Sequence, residues 1–154
     1  MKVLIAYATN SGGTFFATQI VEQVIKSNKH SVTRKEIEEL SATNFKEYDL
    51  IIFASPSWNY KGAEGELQTS FKEFVQDFSG KSLASKKCAV FGLGDSTYLY
   101  FCGAVDRLER FVKDTGGILL SPSLRIDGYY RNEQLHNKIL EDWTEKIIAS
   151  YSIV

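Results

Sequence analysis

Three short apolar runs, each closed by small or polar residues, constrain this chain most: residues 3–7, 49–54 and 87–93. Runs of this length bounded by turn formers predict strands buried on both faces, the pattern of a parallel sheet covered by helices. The segments between them carry a helical period. Residues 13–27 place Phe16, Ile20 and Val24 four apart, joined by Val21 and Ile25, which predicts an amphipathic helix. Residues 66–78 predict a second helix with Leu67, Phe71, Phe74, Val75 and Phe78 on one side. A third, at 103–114, turns Val105, Leu108, Phe111 and Val112 inward, and a fourth, at 132–151, spaces Leu135, Ile139, Trp143 and Ile147 by four. Residues 31–37 read as a more polar strand near an edge, and residues 118–126 as a last strand interrupted at Pro122. The order is β-α-β-β-α-β-α-β-α, with the helix after the second strand short or missing. Right-handed crossovers then make a doubly wound α/β sheet the simplest expectation.

Size and charge narrow the function. Residues 1–154 are expected to form a single domain, and the 44% of hydrophobic residues suffice for its core. Eighteen basic residues face 19 acidic ones, for a formal net charge of -1, so no general attraction to nucleic acid or an anionic membrane is expected. No apolar stretch approaches the roughly 18 residues of a spanning helix. The opening run is expected to be too short for a signal peptide. Cys88 and Cys102 have neither metal-ligand spacing nor a disulfide framework, which points to a reducing, cytoplasmic setting. His30 and His136 stand alone on polar segments and are expected at the surface.

In a doubly wound sheet, ligands sit beyond the carboxyl ends of the strands. Three loops fall there. The first, Thr9-Asn10-Ser11-Gly12-Gly13-Thr14, alternates hydroxyls with small residues at the start of a helix, where free amides and the helix dipole favour an anion. It lacks the Gly-Lys-Ser/Thr of a nucleotide-triphosphate loop and the spaced glycines of a dinucleotide fold. Taken alone it serves equally as an N-capping turn. The second, residues 54–66, carries Trp58 and Tyr60 among turn formers, rings suited to stacking on a flat ligand. A Trp folded back on the sheet edge is the plainer reading. The third, residues 92–103, adds Tyr98 and Tyr100 among glycines. Together the three loops converge on a phosphorylated planar ligand.

At these residues the chain resembles the flavodoxins over nearly all of its length. The resemblance rests on Thr9 to Thr14, on Pro56-Ser57-Trp58 ahead of Gly65-Glu66-Leu67-Gln68, on Gly92-Leu93-Gly94-Asp95-Ser96-Thr97-Tyr98-Leu99-Tyr100-Phe101-Cys102-Gly103-Ala104-Val105-Asp106, and on Leu124-Arg125-Ile126-Asp127-Gly128. With no long insertion in the last strand, it is similar to the short-chain type. The resemblance implies a flavodoxin-like three-layer sandwich around a five-stranded parallel sheet in the order 2-1-3-4-5. It implies a low-potential one-electron carrier using FMN, with a small FMN-dependent quinone or azo reductase as the alternative. Thr9, Asn10, Ser11, Gly12, Gly13 and Thr14 would wrap the phosphate, helped by Ser57. Trp58 and Tyr98 would cover the two faces of the isoalloxazine. Backbone groups of Asp95, Tyr100 and Cys102 would bond the pyrimidine edge, and the carbonyl of Asn59 would sit beside N5. Ser55, Pro56, Gly94 and Phe101 complete the expected cofactor-binding set. The implied partners are redox proteins such as a ferredoxin/flavodoxin–NADP reductase or another low-potential oxidoreductase, met by a monomer. Three features depart from the family pattern: Gly13 replaces the usual Asn or Lys, the loop after Trp58 is longer and carries Lys61, and the chain is not strongly acidic.

Overall fold

The apolar runs become the middle of a parallel sheet. A computed structural model describes residues 1–153, with Tyr60 described by its backbone alone. Strands β1 (Lys2–Tyr7), β2 (Ser31–Glu36), β3 (Leu50–Tyr60) and β5 (Lys87–Gly94) alternate with helices α1 (Gly13–Ser27), α2 (Thr69–Asp77) and α3 (Gly103–Asp114). A last strand in two pieces, β6 (Ile118–Leu119) and β7 (Leu124–Asp127), precedes α4 (Glu133–Ile153). Pairing runs β2-β1-β3-β5, with β6 and β7 both parallel to β5 at its outer side. The five-position order expected from the resemblance is therefore present, its fifth position divided around Pro122. In place of a helix between β2 and β3 stand two single 3-10 turns, Ile37–Glu39 and Ala42–Phe45.

Each central strand is buried on both faces, and alternation sorts its side chains into two cores. Leu4, Ala6, Ile51, Phe53, Cys88 and Val90 face Phe71 and Phe78 and the apolar side of α3, Val105, Leu108, Phe111 and Val112. Val3, Ile5, Leu50, Ile52, Ala89 and Phe91 face Ala17, Val21 and Ile25 of α1 and Leu140, Trp143 and Ile147 of α4. A one-residue slip of any central strand would exchange its two faces against both helical layers, so the register is strongly specified.

The structure corrects the sequence reading in three places. Residues 63–67 form an unforeseen strand, β4 (Ala63–Leu67), antiparallel to the extension of β3, with Ser57 opposite Leu67 and Trp58 opposite Glu66. Helix α2 therefore starts at Thr69 and not at 66, where the Gln68 side chain accepts from the Ser70 N–H at 2.8 Å and caps the first turn. The inward stripe of α1 is Ala17-Val21-Ile25, with Phe16 exposed. In α4, Leu135 is exposed and Leu140 replaces it in the core. Two stripes of α1 share a spacing of four, and period alone does not choose between them; packing of the helix on the sheet selects Ala17-Val21-Ile25.

Phe53 sits fully buried at the centre of a ring cluster, edge-on to Phe45, Phe71 and Phe111 with centroids 5.9, 6.0 and 5.6 Å away. Phe53→Ala is expected to cost about 3–5 kcal/mol in a urea unfolding titration; a loss below about 1 kcal/mol would mean this core is not closed around it.

Candidate functional site

The carboxyl ends of β1, β3, β5 and β7 open into the same cleft. Its volume is about 590 Å³, within the usual range of small-molecule sites. The first loop forms one end, where Gly12, at φ 89°, turns the chain from β1 into α1. An L side chain is strained in that left-handed conformation, which explains the glycine. The first amides of α1 have no carbonyl one turn before them to bond, the first helical bond being Phe16 N–H to the Gly12 carbonyl at 3.0 Å. The Thr14 hydroxyl is buried among them and finds no hydrogen-bond partner among the described residues.

The second loop is not a loop. The β3–β4 hairpin carries Trp58 and Asn59 to the cleft wall, with the Asn59 side-chain oxygen accepting the Gly62 N–H at 3.0 Å across the tip. The side chain of Tyr60, read above as a stacking ring, lies outside the described residues. Buried Glu66 braces the hairpin through Arg107 at 2.6 Å and Lys72 at 3.3 Å. Gly65 packs on the start of α3 so closely that a Cβ on Gly103 would come within 2.5 Å of its carbonyl oxygen. The third loop bends around Asp95, whose carboxylate accepts the Thr97 N–H and hydroxyl, and joins the hairpin where Glu64 accepts the Leu99 N–H at 3.2 Å. Trp58 (38% exposed), Tyr98 (57%) and Tyr100 (60%) all reach the cleft, large rings left uncovered by the protein.

Of the residues singled out in the sequence, Thr9, Asn10, Ser11, Gly13, Thr14, Pro56, Ser57, Trp58, Asn59, Gly94, Asp95, Tyr98 and Tyr100 line this cleft. Gly12, Ser55, Phe101 and Cys102 do not line it. Ser55 is buried, donates to the Pro56 carbonyl at 2.9 Å and accepts the Gln68 N–H at 3.2 Å, fixing the turn ahead of Trp58. The Ser57 hydroxyl accepts the Ala104 N–H at 3.1 Å at the start of α3, leaving its own proton to give. Phe101 packs against the α3-side core. Cys102, an unusual non-glycine at φ 50°, buries its thiol beside the carbonyls of Gly92 and Ile126, and burial pushes that thiol up to about 12, so it stays protonated and unreactive at neutral pH.

A fourth segment, which sequence reasoning missed, closes the cleft. Gly128, Tyr129, Tyr130 and Arg131 follow β7 and line the wall. Arg131 pairs with Asp127 at 2.7 Å, and Asp127 also accepts the Ser96 N–H at 2.9 Å and hydroxyl at 2.6 Å. Those Ser96 bonds, and Arg131 beside them, hold the Asp127 carboxyl below the usual range, as the Thr97 bonds do for Asp95. Both rim carboxylates are thus charged at neutral pH. The signals for this wall were an Asp and an Arg four apart across a turn and two adjacent tyrosines in a polar stretch. The two histidines are half-buried and bonded: His30 lies 3.3 Å from the N-terminal amine, and His136 stacks on Tyr129.

The chain that sets an uncapped helix start and exposed aromatic rings at the carboxyl edge of a parallel sheet matches known proteins in sequence and in shape. The flavodoxin family model matches residues 5–143. The probable flavodoxin 2 of Bacillus subtilis is 35% identical over 134 residues, 86% of this chain and 86% of that protein. The flavodoxin of Maridesulfovibrio salexigens is 34% identical over 128 residues, covering 82% and 86%. The structure of oxidised flavodoxin 2 from Bacillus cereus superposes with a TM-score of 0.83 at 30% identity, over 99% of this chain and 98% of that one. The chain belongs to the flavodoxin family.

Proposed function

We propose that this chain is a single FMN-binding domain that carries electrons one at a time, at low potential, between larger redox proteins. As a flavodoxin it is an electron-transfer protein; a quinone or azo reductase is not favoured. Flavodoxin is itself a known example of the crevice rule for open α/β sheets. The position of the cleft therefore follows the family, and its contents carry the reading.

The observation that carries it is the Thr14 hydroxyl, buried and unpartnered at the mouth of α1. A buried polar group without a partner costs about 1–3 kcal/mol. A phosphate oxygen would remove that cost. The hydroxyls of Thr9 and Ser11 and the first amides of α1 would hold the rest of the ester without any cation in the loop. Trp58 and Tyr98 would sandwich the ring, with Asn59 and Asp95 beside its edges. Bound there, FMN supplies a ring that accepts and returns single electrons. Asp95 puts fixed negative charge on the rim, which opposes accumulation of further negative charge in the cleft and favours a low potential. Asp127 adds little to it, because Arg131, which itself lines the cleft, is paired with that carboxylate at 2.7 Å.

Partners would meet the protein at the cleft mouth, where Trp58, Tyr98, Tyr100 and Leu99 (81% exposed) form an apolar rim. A ferredoxin/flavodoxin–NADP reductase or a comparable low-potential oxidoreductase is the partner class we favour, met by a monomer in the cytoplasm. Two free, buried cysteines suit that reducing compartment, and no helix among the described residues is long and apolar enough to cross a membrane.

Titrating the apoprotein with FMN should quench tryptophan fluorescence at one equivalent, because Trp58 lies in the cleft. Thr14→Val is expected to raise the Kd for FMN by about 10- to 100-fold, the loss of one hydrogen bond to a charged group, while leaving riboflavin binding unchanged. Equal weakening of both ligands would show that Thr14 does not serve the phosphate. Trp58→Ala, in contrast, should weaken FMN and riboflavin alike by about tenfold or more, the scale of one lost aromatic contact; unaltered riboflavin affinity would remove Trp58 from the ring site.

A further inference from the structure

The first loop contains two consecutive glycines, which leave its peptides many ways to point. Two side chains fix one of them, and one of the two lies 119 positions away from Ser11. The Tyr130 hydroxyl donates to the Ser11 carbonyl at 3.0 Å. The N–H of that same peptide unit, belonging to Gly12, donates to the Thr9 hydroxyl at 3.2 Å. One peptide plane is therefore gripped at both ends, by one side chain of the loop itself and one from the turn after β7. The ring stands close to the turn: a Cβ placed on Gly13 would meet the Tyr130 ring at 3.5 Å, and one on Gly12 would meet its hydroxyl at 3.5 Å, both ordinary van der Waals contacts. The ring thus lies beside the turn at a distance that one added methyl would bridge.

Tyr130 is itself held in place. Gly128 donates its N–H to the Gly94 carbonyl at 2.9 Å, and the Arg131 N–H closes the turn on the Gly128 carbonyl at 2.9 Å. Its neighbour Tyr129 is buried, donates to the Asn137 side chain at 2.7 Å, and sets its ring edge-on to Tyr130 with centroids 5.5 Å apart. The turn after β7 is therefore a rigid arm, and its tip rests on the first loop.

We propose that Tyr130 is a positioning residue for the phosphate, a clasp that selects phosphorylated over unphosphorylated flavin. The inference rests on the FMN reading of the cleft. An unengaged carbonyl beside an anion repels it and can turn toward it as the glycine peptide rotates. A carbonyl already bonded to Tyr130 can do neither, so the amides that follow it at the start of α1 are set before the ligand arrives. Pre-set donors bind more tightly than donors that must be ordered on binding. The flavin ring makes no use of the clasp, so only the ester should register its loss.

Tyr130→Phe removes the hydroxyl alone from a half-exposed ring, so the fold is retained. Amide hydrogen exchange at Gly12, Gly13 and Thr14 in the apoprotein reads the clasp without any cofactor, and paired FMN and riboflavin titrations read its selectivity. The expected result is exchange accelerated several-fold at those amides, a Kd for FMN raised about tenfold, and an unchanged Kd for riboflavin. Unchanged exchange, or riboflavin weakened as much as FMN, overturns the clasp. Failure of the wild-type protein to bind FMN at all sinks the reading of the cleft instead, a result distinct from normal wild-type binding with an indifferent Tyr130→Phe.

Discussion

The amides at the start of α1 are the constraint around which the site is arranged. A helix cannot satisfy its own first N–H groups. Here that start is set at the carboxyl edge of the sheet, where β1 passes into α1 through a left-handed Gly12. No side chain caps the helix, and its first turn contains no acidic residue. The usual internal solutions to the problem are missing, and a buried hydroxyl, Thr14, adds a further unanswered polar group at the same point. Such an end is costly unless something anionic completes it. The parallel sheet, with its helices on both faces, is what brings this helix start to the same edge as the aromatic hairpin and the third loop.

Much of this was readable in sequence because it depends on local pattern. The central strands are uniformly apolar because both faces are covered, and α1 and α3 begin and end where small residues and composition shifts said they would. Residues 63–67 were not readable. Leu67 fits a helical stripe with Phe71, and only pairing with residues 57–60 makes it a strand. That pairing is a tertiary fact with no local signature. The same holds for the fourth wall of the cleft: Tyr130 acts on Ser11 across a separation no periodicity spans, and Arg131 supplies charge that the first loop itself lacks. Motif reasoning reached Gly128 at the end of the last strand and stopped short of the three residues that complete the wall.

The hairpin shows how a long, polar connection is made stiff enough to hold a ring. Its extra residues are turned by Lys61 at φ 50° and Gly62 at φ 83°, and its return strand is tied down on three sides. Glu66 is nearly buried, yet two cations and the sheet ladder surround it, so its charge is matched where it is desolvated. Arg107 also donates to the Gly65 carbonyl at 3.3 Å, binding α3 to the base of the hairpin. With Glu64 joined to the Leu99 amide, the hairpin and the third loop are tied to each other. Trp58 and Tyr98 are thus exposed on segments that are braced by the protein, which a stacking site requires.

Charge at the rim separates this chain from the strongly acidic pattern that its resemblance implied. With a net charge of -1, the molecule as a whole steers no partner from a distance. Its carboxylates are instead placed locally, at Asp95 and Asp127, each fixed by hydroxyl and amide donors on the third loop. Charges fixed this way act over a few ångströms on the contents of the cleft and are little felt beyond the screening length. On the proposed reading, potential and partner choice, which a uniformly acidic surface would govern together, would thereby be divided. The potential would fall chiefly to the hydrogen-bonded Asp95, Asp127 being paired with Arg131, and recognition to the exposed rim of Trp58, Tyr98, Leu99 and Tyr100, whose apolar area depends little on salt.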